Sequence, residues 1–307
     1  MEGFKSRFFI ILLCVIFISG AYSKHSSLVR STPLEKINVV TSISVLEDFV
    51  KEIGGEKVEV KTLITGLETP HTFSPKPKDK INLLSSDIFF KVGLGLESWV
   101  DKLLDSAPDE LLIVDTSEGV EVIDSHEDHD HLGNPHIWLD PENAITMARH
   151  IADALIAKNP ENKDYFEERY IEYTKKIRKV SDELKKRVEM LEDKRVVVFP
   201  ASYPYLLKAF GFETVATVEE VHGQEISAKR LAEIIKVIRE EKVKLVIAEC
   251  QFSDKDARTI CEESGAEIVY LTPLLAPQIF PETKDYIGMI RYNVGEIVRA
   301  LEGESGN

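Results

Sequence analysis

Thirty residues, 162–191, pass without a proline or a glycine, and this run constrains the fold more than any other feature. Apolar and aromatic side chains (Phe166, Tyr170, Tyr173, Ile177, Val180, Leu184, Val188, Leu191) recur in it every three or four residues, the period of one helix face. At ~1.5 Å rise per residue such a helix extends ~45 Å, enough to cross a whole domain. A stripe of this kind serves either a coiled-coil dimer or a helix lying along two lobes of one chain. The flanking segments favour the second reading, because both alternate short apolar runs with helix-length stretches.

Before the long helix, residues 37–41, 58–64, 88–92 and 111–115 read as strands. Helical spacing covers about 45–53, 78–85 and 96–104, and the pattern IxxMAxxIAxAL marks a helix over 141–158. After it, strands are expected at 196–199, 214–217, 245–248 and 267–271. Helices are expected at 203–210 (closed by Gly211), 228–241, 254–264 and about 283–301. Strands separated by helices pair in parallel through right-handed crossovers. The expected fold class is therefore α/β, with two Rossmann-like lobes joined by a long rigid helix. The divisions are 1–23, an N-terminal lobe at 36–160, a linking helix at 161–193 and a C-terminal lobe at 194–303. Ligands of open parallel sheets sit beyond the carboxyl ends of the strands, here facing a cleft between lobes.

Four of the eight histidines fall between His126 and His136, in HEDHDHLGNPH, interleaved with Glu127, Asp128 and Asp130. Imidazole is the commonest side-chain ligand for borderline divalent metals, and carboxylates add negative charge beside it. His126, His129 and His131 suit a solvated acidic loop equally well. His136 is followed by apolar IWL and then DP, which suits a buried, positioned side chain. His71 lies 65 residues earlier in GLETPHTFSPKPKD. Each of the two follows a proline that stiffens the backbone, and both lie just beyond strand-like segments.

Residues 1–23 read as a secretion signal: Lys5 and Arg7, an apolar core at 8–18, and the small-x-small end Ala21-Tyr22-Ser23. The apolar core falls short of the ~20 residues that span a bilayer, although an uncleaved N-terminal anchor is the alternative. Leu13 precedes Cys14 where a lipidation site takes a small residue, so Cys14 is not read as a lipid anchor. The chain carries −15, and this segment contributes +1, leaving −16 on the remainder. Such a balance argues against nucleic acid, whose phosphates need basic patches, and suits a protein that lives near cations. Few glutamines among abundant Glu and Lys give a thermophile-like composition. Cys250 and Cys261 either pair outside the cytoplasm or remain thiols. No HExxH occurs, so an enzyme is not expected.

Taken together, several segments resemble the zinc/manganese solute-binding proteins of ABC transporters, the cluster A-I family. They are GLETPHTFSPKPKD, VGLGLESWVDKLL, NPHIWLDPENAITMARHIADAL, YPYLLKAFGF, QEISAKRLAEIIKVI, VIAECQF, the TPL turn and YIGMIRYNVGEIVRAL. The resemblance covers nearly the whole chain after residue 23. It implies an exported protein, outside the cytoplasmic membrane, that binds one divalent metal between two lobes and hands it to a membrane permease. A monomer is expected. Nitrogen ligands favour zinc, with manganese the alternative.

The resemblance implies two metal ligands from each lobe, and the N-lobe pair carries over to His71 and His136. The C-lobe pair does not: Pro200 stands where the family has His or Glu, and Thr272 where it has the Asp of a DPL turn. Proline offers no side-chain donor, and a threonine hydroxyl is a poor ligand beside a carboxylate. Candidate replacements are His222, Glu225, Glu249 and His131. Three readings follow: a metal held by replacement ligands, a low-affinity metal collector, or a divergent cleft serving another interaction.

Overall fold

The computed structural model describes residues 36–66, 68–105, 107–123, 133–199, 202–218 and 226–303, so the segment 1–23 lies outside them. Two four-stranded sheets form the frame, and every strand pair is parallel. The first holds β1 (Ile37–Ile43), β2 (Val58–Ile64), β3 (Ile88–Lys91) and β4 (Leu112–Asp115) in the order β2-β1-β3-β4. The second holds β5 (Arg195–Phe199), β6 (Glu213–Thr217), β7 (Leu245–Glu249) and β8 (Glu267–Leu271) in the order β6-β5-β7-β8. Both sheets therefore share one topology. Strand order reverses beside β1 in one and beside β5 in the other, and a crevice opens at such a switch point.

Helices α1 (Ser44–Gly54), α2 (Pro77–Leu84), α3 (Asp101–Leu104) and α4 (Pro141–Lys158) belong to the first half. Next come α5 (Lys163–Glu189), α6 (Pro204–Phe210), α7 (Ala228–Glu241), α8 (Lys255–Ser264) and α9 (Tyr286–Glu302). Local chemistry sets their ends. Asp140 caps α4 by accepting from Glu142 N–H at 2.9 Å, with Pro141 in the first helical position, where it forfeits no bond. Gly211 closes α6 in the left-handed region, at φ 77°.

The long helix is α5, 27 residues and about 40 Å. It packs against α1 and α4 on one side of the molecule and against α6 and α9 on the other. Its stripe of Phe166, Tyr173, Ile177, Val180, Leu184 and Val188 is buried in an apolar core that runs through both halves. Each buried aliphatic in that stripe contributes roughly 1.5–3 kcal/mol. The two-lobe reading of the stripe thus describes the fold. In the second sheet the faces separate with period two. Val196, Val198, Leu245 and Ile247 enter this shared core, whereas Val197, Phe199, Val246 and Ala248 pack with α7 and α8 in a second cluster.

Two expectations need correction. The helix expected over 96–104 shrinks to α3, with turns before it. Gly93 and Gly95 take positive φ there, and so does Leu94 at 52°. The Glu97 side chain turns back to accept from the N–H groups of Val92 and Gly93, a local bonding pattern that competes with helix. The last helix begins at Tyr286, because Pro281–Thr283 form a separate 3-10 turn and Asp285 caps Gly288 N–H at 2.7 Å. Cys250 and Cys261 are both free thiols rather than a disulfide. Burial pushes each up to about 11, so neither is a thiolate at neutral pH.

Candidate metal centre

His71 sits in a 3-10 turn, Pro70–Thr72, six residues beyond the end of β2. The turn is held from behind, where Trp99 Nε1 donates to the Pro70 carbonyl at 2.9 Å and the Trp99 ring meets Phe73 edge-on. His136 lies between β4 and α4, just before the 3-10 turn Ile137–Leu139, and only 4% of it is exposed. The two imidazoles face each other with Nε2 to Nε2 at 3.3 Å. Two nitrogens bound at ~2.0–2.1 Å to a tetrahedral zinc stand ~3.3–3.4 Å apart. The observed separation matches the edge of such a tetrahedron.

Asn134 sets the tautomer of His136. Its Oδ1 lies 3.0 Å from the backbone N–H of His136 and 3.0 Å from the ring Nδ1. A backbone N–H only donates, so the shared atom is the amide oxygen, and Nδ1 must carry the proton. In the neutral ring Nε2 is then the acceptor nitrogen, on the side of His71. Orientation through the far ring nitrogen is the usual support for a metal-binding imidazole. Sequence reasoning missed Asn134; the signal was an Asn two residues ahead of the histidine, placed to bond the backbone as an Asx turn does.

The second lobe meets this loop directly. Trp138 is fully buried; its Nε1 donates to the Pro273 carbonyl at 2.6 Å, and its own carbonyl accepts from the Tyr286 hydroxyl at 2.9 Å. Gly66, near the His71 turn, has φ 116°, and a Cβ there would collide with the carbonyl oxygen of Leu275. Gln251 Nε2 donates to the Gly66 carbonyl at 2.5 Å. The loop ahead of the His71 turn therefore abuts Leu275 and Gln251, and the turn after His136 abuts Pro273.

Thr272 is buried and its hydroxyl is already committed: it donates to the Leu274 carbonyl at 2.6 Å and accepts from Leu274 N–H at 3.2 Å. Glu249, at the end of β7, is 3% exposed and accepts from the Ser202 hydroxyl at 2.6 Å. The first lobe repeats that pair, where Ser42 at the end of β1 donates to Glu97 at 2.7 Å. Burial raises the Glu97 carboxyl above its ordinary range, against the pull of Ser42 and the two backbone N–H groups. Among the described residues, no group of three or more His, Cys, Asp or Glu is arranged to hold a metal. His131, His222, Glu225 and Pro200 lie outside the described residues, as do His126 and His129.

Two parallel-sheet lobes bridged by a long helix, with paired imidazoles in the loops that follow β2 and β4, define the class of architecture. Residues 39–300 match the family described as ZnuA, zinc-uptake complex component A, periplasmic, and the chain belongs to that family. It is 30% identical to the manganese ABC transporter substrate-binding lipoprotein PsaA of Streptococcus pneumoniae, over 97% of this chain and 96% of that one. It is 28% identical to the zinc-binding lipoprotein AdcA of Streptococcus pneumoniae, over 88% of this chain and 56% of that protein. Among solved structures, the Mn-bound periplasmic metal binding protein from Candidatus Liberibacter asiaticus superposes with TM-score 0.78 at 25% identity. That match covers 87% of this chain and all of the other. A crystal structure of ZnuA superposes with TM-score 0.78 at 26% identity, covering 87% and 99%.

Proposed function

We propose that this protein is the substrate-binding component of a divalent-metal ABC transporter. It captures the ion outside the cytoplasmic membrane and delivers it to a membrane permease. Family membership supports the transport role, and the relatives' designations as lipoproteins or periplasmic proteins support the location. Among the described residues no helix is long and apolar enough to cross a membrane. The protein acts as a monomer of two lobes, 36–160 and 194–303, linked by 161–193. It binds and releases its cargo without turnover.

His71 and His136 are the N-lobe ligands of the cargo, and the observation that carries this is their 3.3 Å Nε2 separation. That spacing and the all-nitrogen pair favour zinc over manganese, which prefers oxygen ligands. His222, Glu225, Glu249 and His131 are the candidates to complete the sphere. The commitment of the Thr272 hydroxyl to its own turn favours a second reading, a low-affinity collector completed by water. Calorimetric titration with zinc and with manganese, on the full chain and on a variant lacking 124–132, separates these. One tight zinc site per chain in both forms supports the first reading, and a weak site supports the second. No uptake of either ion at micromolar concentration overturns the metal-binding role.

A further inference from the structure

One hydroxyl of the second lobe holds both ends of the segment that leads to His136. Tyr205, on α6, accepts from the backbone N–H of Ile123 at 2.9 Å and donates to the Asn134 carbonyl at 3.0 Å. Ile123 and Asn134 are joined to each other as well, Asn134 N–H to the Ile123 carbonyl at 2.9 Å. In the sequence the acidic, His-rich stretch lies between these two residues. The Tyr205 side chain is 2% exposed and packed in the shared core, so the hydroxyl's position follows α6. Burial raises its pKa above the ordinary value, which keeps the proton that it donates.

A continuous path results. The phenol fixes the Asn134 backbone, the Asn134 amide oxygen fixes His136 Nδ1, and the ring then presents Nε2 to His71. Only the last two residues belong to the metal-binding edge, and the first belongs to the opposite lobe. We infer that Tyr205 is a positioning residue that ties the ligand geometry of His136 to the second lobe, so that the placement of α6 tunes how tightly the divalent cation is held. The inference rests on reading His71 and His136 as metal ligands. A phenol carrying one bond in and one bond out suits this role, because each bond is lost if α6 moves relative to the Ile123–Asn134 junction.

The test is Tyr205→Phe, with zinc ion alone as the probe. Equilibrium affinity is read by competition against a chromophoric chelator, and release by chelator trapping in stopped flow. Imidazole 15N spectra report the His136 tautomer. Removing an outer support of a metal ligand typically weakens binding ~10–100-fold, and Tyr205 stands one step further out. The expected loss is about tenfold, mostly in the release rate, with His136 no longer confined to the single Nδ1–H form. Tyr292→Phe is the control, since among the described residues its hydroxyl donates to the Tyr270 carbonyl, within the second lobe, at 3.1 Å. It should lower the melting temperature without changing affinity. Unchanged affinity, release and spectrum in Tyr205→Phe overturn the inference, and so does an equal loss in Tyr292→Phe. His71→Ala and His136→Ala are measured in parallel. If both still bind zinc normally, the ligand assignment falls and Tyr205 with it; if both lose zinc while Tyr205→Phe is silent, only the role of Tyr205 falls.

Discussion

Trp138 and Pro273 stand 135 residues apart and share one hydrogen bond, from the indole Nε1 to the proline carbonyl at 2.6 Å. Through it the turn after His136 is fastened to the turn of the opposite lobe that contains Thr272. Tyr286 holds the same tryptophan from its other side, hydroxyl to carbonyl at 2.9 Å. The lobes are thus bonded directly beside the paired imidazoles, in addition to the packing along α5.

Trp138→Phe keeps an aromatic body but leaves the buried Pro273 carbonyl without this donor. A loss of ~1–3 kcal/mol in folding stability is expected, the cost of an unpaired buried polar group. Urea unfolding measures it. Zinc affinity should fall less than in His136→Ala, because neither imidazole is removed.

His71→Ala and His136→Ala each delete a nitrogen of the proposed metal centre. Zinc binding should weaken roughly 100-fold or more, beyond what losing an outer support costs. Calorimetry on each variant, alongside apo melting curves, gives the check. Unchanged affinity with a lower melting temperature would reassign both as structural histidines.

Asp48 gives the fold a pH dependence. Its carboxyl is raised to about 6, chiefly by burial, with Asp285 and Glu52 adding repulsion, while Tyr286 N–H and the Tyr173 hydroxyl pull it down. The folded pKa exceeds the unfolded one, so this group's contribution is full below about 3.8 and is lost as pH rises through about 6. Asp48→Asn keeps an oxygen acceptor for Tyr173 and Tyr286 and removes the buried charge. It should raise stability at pH 8 by roughly 1–3 kcal/mol and flatten the slope between pH 4 and 7, read by denaturation across pH.

Pro200→His together with Thr272→Asp restores the donor types that the family places on the second lobe. If water completes the present sphere, the double variant should bind zinc at least ~10-fold tighter, since imidazole and carboxylate replace water. His222→Ala is the counter-experiment. Its silence agrees with water, and loss of binding on that single change identifies His222 as the replacement ligand.

The sequence by itself determined the long helix, all eight described strands, and the two histidines proposed as metal ligands. Those features are local. Freedom from proline and glycine over 162–191, a 3.6-residue stripe, and a proline beside each histidine are legible within one window. The shortened α3 escaped such reading, because positive φ at Gly93, Leu94 and Gly95 and the backward reach of Glu97 override a helical pattern that 96–104 otherwise carries. The tertiary structure alone decided that His71 and His136 meet at 3.3 Å, that Asn134 Oδ1 accepts from the Nδ1–H of His136, and that the Thr272 hydroxyl is spent on its own turn. It also decided that Tyr205 and Trp138 bind one lobe to the other beside the site. Bonds between residues 65 to 135 positions apart depend on where two sheets and a bridging helix place their loop ends, and no periodicity in the chain records that placement.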